Sequence, residues 1–157
     1  MLSLQDKIKR AFAEVPRPDK DSITACDDWD CLEVSERFNG KERYSLDADF
    51  LVSNLELAFL SPQALQYFLP AYLLHCLNPA NVEPEVYYTV LSILCPGQED
   101  ETSSAFYQDL LRVFSSEQME VIYEYLDWAY EDTYSWRTTI ERGKKRLKKY
   151  YELAHIK

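Results

Sequence analysis

Apolar residues recur along this chain mostly at three- and four-residue intervals, and the most apolar stretch is FLSPQALQYFLPAYLLHCL, Phe59 to Leu77. Ser61 suits an N-cap and Pro62 the first helical position, where a missing N–H costs nothing. From there Leu65, Phe68, Leu69, Tyr72, Leu73 and Cys76 share one helical face, while Gln63, Gln66 and Pro70 lie towards the other. The pattern predicts a helix to about Asn78 with one core face and a kink at Pro70, which removes the bond to the Gln66 carbonyl.

Other segments follow the same logic. Leu2, Leu4, Ile8 and Phe12 keep helical spacing at the N-terminus, and DDWDCLEVSERFNG predicts a helix from Asp30 to Phe38, stopped by Asn39 and Gly40. SLDADFLVSNLELAF suits a short helix capped near Ser45, although LELAF also fits an extended strand, so residues 45–60 stay open. VEPEVYYTVLSILCPG predicts a helix with Pro84 in its first turn and a stop at Pro96-Gly97, and the acidic GQEDETSS reads as a loop before a helix from Phe106 to Val113. In FSSEQMEVIYEYLDWAYED, Ser115 and Gln118 form a capping box, with Phe114 and Met119 placed as a hydrophobic staple. Trp136, Ile140, Gly143, Leu147, Tyr150 and Ala154 then make a narrow apolar seam on a last helix, where Gly143 permits close approach.

A length of 157 residues, with 46% hydrophobic and 28% charged residues, is that of one globular domain with its own core. The expectation is a mainly α, single compact multi-helix domain over residues 1–157, with a kinked central helix and a C-terminal helical hairpin. Only Gly40, Gly97 and Gly143 are glycines, so no phosphate-cradling loop is present, and an all-β fold would lack its turn residues. The charged N-terminus does not read as a signal peptide, which makes the cytoplasm the default. Two prolines, Gln63, Gln66 and His75 interrupt the longest apolar run, against a membrane span.

Charge is divided unevenly. Residues 1–136 carry 9 Lys or Arg against 25 Asp or Glu, and residues 137–157 carry 8 against 2. Arg142, Lys144, Lys145, Arg146, Lys148 and Lys149 crowd the last helix, and Glu117, Glu120, Glu124, Asp127 and Glu131 form a stripe on the one before it, so the two helices are expected to be neighbours. Solvated faces explain most such stripes, because exposed pairs contribute only about 0–1 kcal/mol each. The acidic body repels a phosphate backbone, so no nucleic-acid partner is expected, whereas a basic protein partner suits it. Twelve tyrosines add amphipathic bulk. Glu120, Glu124, Asp127, Trp128 and Glu131 are therefore the candidate partner-binding residues.

Catalytic groups are sparse. Of the two histidines, His155 is near the C-terminus, and His75 and Cys76 diverge as helical neighbours. Ser115 and Ser116 have the cap as their explanation, and Asp27, Asp28 and Asp30 read as a solvated helix start. The four cysteines are expected as reduced thiols, Cys76 on a core face. Cys26 and Cys31, spaced as CDDWDC, are candidate zinc thiolates, with His75-Cys76 as a conceivable completion. No cofactor is expected.

CDDWDCLEV, followed by FNGKERYSLDADFLVSNLELAFLSPQALQYFLPAYLLHCL, resembles a bacterial family of uncharacterised domains. Its pattern joins a Cys- and acid-containing helix and F-x-G to an LSP-x-A-x-x-Y-x-LPAYL core. The resemblance covers Cys26 to Asn78, and Phe106 to Leu126 fits it too; where the family pattern leads one to expect Trp shortly after Gly40, this chain has Arg43-Tyr44. It implies a small soluble domain and no particular activity. The functional expectation is a protein–protein interaction module with an acidic, aromatic-bearing surface, in the manner of an immunity protein or antitoxin. The alternatives are an enzyme or metal-binding domain using Cys26/Cys31 or a carboxylate pair, and a homodimer formed through the Trp136 to Ala154 seam.

Overall fold

The computed structural model describes residues 1–81 and 83–156. Val82, at the head of the stretch read as the helix after Asn78, and Lys157, the last basic residue, lie outside the described residues. Eight α-helices and three short 3₁₀ turns form among the described residues: α1 Leu4–Ala11, α2 Trp29–Phe38, α3 Ala48–Ser53, α4 Pro62–Leu77, α5 Pro84–Leu94, α6 Glu101–Leu111, α7 Ser116–Asp132 and α8 Arg137–Ala154.

Most starts are written locally. Ser3, Asp28, Asp47, Ser61, Asp100 and Ser115 each accept a hydrogen bond from an N–H two or three residues into the following helix. Each satisfies one of the donors that a helix start leaves orphaned. The capping box at Ser115 closes in both directions, and Phe114 and Met119 are both buried beside it. Gly40 follows α2 with φ of +75°, the left-handed conformation that a helix stop of this kind uses.

Two expectations are corrected, and the open choice over residues 45–60 is decided. The α3 cap is Asp47, not Ser45, because the Asp47 carboxylate meets the Phe50 N–H at 2.8 Å. LELAF is not a strand; Leu57–Phe59 is a 3₁₀ turn, and Leu60 makes an isolated bridge to Thr24. The end of GQEDETSS is helical, since the Asp100 carboxylate caps the Ser103 N–H at 2.7 Å and Glu101 adds negative charge to the first turn of α6.

α4 is the axis of the molecule. It packs against α1, α5 and α6, and burial extends beyond the expected face to Ala64, Tyr67, Pro70, Ala71 and His75. A helix apolar around most of its circumference belongs in a core. Each fully buried Leu or Phe contributes about 1.5–3 kcal/mol relative to exposure, so Leu65, Phe68, Leu69 and Leu73 anchor the fold. Gln66, placed by pattern on the outer side, is half-buried and donates to the Val113 carbonyl at 2.8 Å and the Gln118 side chain at 2.9 Å.

α7 and α8 form the C-terminal hairpin, and α8 also packs on α5 and α6. Ile140, Gly143, Leu147 and Tyr150 of the seam are buried within the chain, with the Tyr150 ring stacked on Tyr107 at 5.7 Å between centroids. One continuous core runs from Ile8 to Tyr150. Among the described residues no helix is long and apolar enough to cross a membrane.

Candidate functional site

The acidic stripe of α7 is exposed as its spacing predicts, but much of it faces basic groups of the same chain. Glu124 pairs with Lys7 of α1 at 3.1 Å, Asp127 with Lys144 of α8, and Glu131 with Arg137 at 3.9 Å. Lys148 lies over the Tyr123 ring at 5.0 Å. Trp128 is half-buried and packs edge-on to Tyr87 at 6.2 Å and against Tyr125 at 5.5 Å. Of the five candidate partner-binding residues, Glu120 alone is an exposed carboxylate with no ion pair among the described residues. The stripe mainly seats α1 and α8, a docking role in which each exposed pair contributes little.

A second acidic surface is open. On α2 the buried positions are Cys31, Val34, Ser35 and Phe38, at i, i+3, i+4 and i+7. The same register turns Trp29, Leu32, Glu33 and Glu36 outward as a parallel stripe. Trp29 is 74% exposed and Leu32 52%. Asp27, Asp28, Asp30, Glu33 and Glu36 surround them, all exposed, and none joins an ion pair among the described residues. Trp29 is not among the residues that the sequence pattern singles out. Its phase against Cys31, Val34 and Phe38 was the available signal.

Cys26 and Cys31 flank this start. The turn into α2 brings the Cα atoms of these two to 5.8 Å, within the reach of a disulfide, so they stand as a pair that oxidation can join. Asp28 joins them, with all three ligand atoms within 4.8 Å of one another, while its carboxylate caps the Cys31 N–H at 3.0 Å. His75 and Cys76 are not part of the cluster; His75 is buried and faces the Glu83 carboxylate at 3.3 Å.

Cys76 and Cys95 are free. Burial pushes the Cys76 thiol up to about 11 and the Cys95 thiol up to about 12. At about pH 8 roughly one part in a thousand of the first, and about one in ten thousand of the second, is the reactive thiolate. With Cys26 and Cys31 joined by oxidation, iodoacetamide is therefore expected to leave the native protein essentially unlabelled, and after reduction to modify Cys26 first. Cys76 and Cys95 label only on denaturation, which peptide mass spectrometry reads directly. Rapid labelling of all four in the native state would contradict this order.

Fold and surface together define a small all-α domain with an exposed, Trp-bearing acidic helix face beside a Cys–Asp–Cys cluster. The chain belongs to a family of unknown function, DUF6714, whose model matches residues 2–153. The match extends well beyond the two segments that carried the resemblance. No curated protein and no solved structure is found to match the chain.

Proposed function

We propose that this protein is a protein–protein interaction module for a basic partner and that the outer stripe of α2 is its contact face. The observation that carries the reading is the 74% exposure of Trp29 within a ring of unpaired carboxylates. Trp is the side chain most suited to anchoring an interface, and a monomer normally covers it. The surrounding negative charge speeds encounter with a basic partner and rejects acidic ones. Occupation of a basic effector, as by an immunity protein or antitoxin, is the form that suits such a surface.

Trp29→Ala and Leu32→Ala remove the anchors without touching the core. Each is expected to change stability by no more than about 0.5 kcal/mol in thermal melts, as is usual for exposed positions. Affinity capture from host lysate should retain a basic protein on the wild type, release it with salt and lose it with the double variant. Equal retention by both would sink the assignment to α2.

A second reading rests on the cluster of Cys26, Asp28 and Cys31. Two thiolates and a carboxylate are one ligand short of a closed tetrahedral zinc site, leaving a position for water or a partner's side chain. Metal analysis of reduced protein after zinc exposure and gel filtration tests it. Stoichiometric zinc lost in Cys26→Ser would favour this reading, and none would dismiss it.

A further inference from the structure

A cavity of about 510 Å³ opens where the end of α1, the 3₁₀ turn at Arg43–Ser45, α3 and α4 meet. Lys9 and Arg43 bring positive charge to its wall, together with Leu46, Leu51 and Leu74; His75 also lines it but faces the Glu83 carboxylate, and among the described residues no carboxylate lines the cavity. In a chain with 27 Asp or Glu and a net charge of −10, this is a local inversion of charge.

Arg43 is the unusual member. It is only 5% exposed. Its Nη2 donates to the Phe12 carbonyl at 2.7 Å, and its guanidinium lies between the rings of Tyr44 and Tyr67 at 4.9 and 4.8 Å. Its Nη1 is buried and has no acceptor among the described residues. A guanidinium removed from water is costly unless an anion or enough acceptors meet it. Aromatic rings on its faces offset part of that cost and leave the edge donors unused. Tyr44 lies over the guanidinium, lines the same cavity and is 44% exposed, so its side chain has room to turn aside.

We propose that this cavity binds a small anionic amphiphile, its carboxylate or phosphate head on Arg43 and Lys9 and its apolar chain along Leu46, Leu51 and Leu74. The planar fork of arginine suits either oxyanion, and the leucines give an apolar wall that a free inorganic anion would leave unused. This site is independent of the α2 contact face.

Amide NMR titrations of the full chain with octanoate, octyl phosphate and 1-octanol test the proposal. The two anions are expected to shift the amides of Arg43, Tyr44, Leu46 and Leu74 saturably, with octanol about tenfold weaker because it lacks the charge. Lys9 and Ala48 are exposed positions on the cavity wall, so Lys9→Glu and Ala48→Glu preserve the core while placing a carboxylate near the head group. Each should weaken both anions by about threefold to fivefold. The proposal is overturned if neither anion shifts those amides up to its solubility, if octanol matches them, or if both variants bind as the wild type does.

Discussion

Gly143→Ala is expected to melt roughly 6–12 °C below the wild type, from about 3 kcal/mol of overpacking in a domain of this size. In an exposed helix interior the same change would stabilise by about 1 kcal/mol, because alanine is the better helix former. Here a Cβ on Gly143 would collide with the Cβ of Cys95 and lie 2.6 Å from its Cα. The second clash is with backbone, so no rotamer change at Cys95 relieves it. α8 must move away from the end of α5, weakening the burial of Ile140 and Leu147 and the stack of Tyr150 on Tyr107. A thermal melt with unchanged or raised midpoint would show that this approach is looser than the structure has it.

Gln118→Leu is expected to cost about 3 kcal/mol by chemical denaturation, although it exchanges a polar side chain for an apolar one of similar size at a site only 5% exposed. The Gln118 side-chain oxygen accepts from the Ser115 N–H at 3.0 Å and from the Gln66 amide at 2.9 Å, while its nitrogen donates to the Ala11 carbonyl at 3.1 Å. One amide thus closes the capping box and ties the end of α1 and the second turn of α4 to the start of α7. Leucine leaves the Ser115 donor and the Ala11 acceptor unmet at a part-buried junction of three helices, the costly side of the hydrogen-bond balance. Ser115→Ala, which removes only the cap acceptor, should cost about 1 kcal/mol. Equal losses from the two variants would mean that the long-range bonds of Gln118 contribute nothing.

The candidate sites were less legible than the fold, and the reason is distance along the chain. Spacing alone placed Glu124 and Asp127 on an exposed face of α7, but Lys7, which pairs with Glu124, stands 117 positions away. Whether an acidic stripe is an open surface or a seat for another helix depends on what packs opposite. Arg43 was noted only as a departure from a family pattern, since nothing near it in sequence shows that Tyr67 and the Phe12 carbonyl enclose it. The start of α6 was hidden for a local reason: a cluster of acids reads as loop until one of them, Asp100, is seen as the cap.

What the sequence determined by itself were features whose energy comes from neighbours within one or two turns. These are the cap and proline at Ser61-Pro62, the capping box at Ser115 and Gln118, the stop at Gly40, and the helical phase that set Ile140, Gly143 and Leu147 on one side. Tertiary structure decided which surfaces those faces meet. It enclosed α4 on several sides, set Gly143 against Cys95, paired three carboxylates of the still-exposed α7 stripe with Lys7, Lys144 and Arg137, and left Trp29 in solvent. The division is physical: a cap or helical period is satisfied within a few residues, whereas burial depends on joining segments far apart, and many partners satisfy the same apolar pattern equally well.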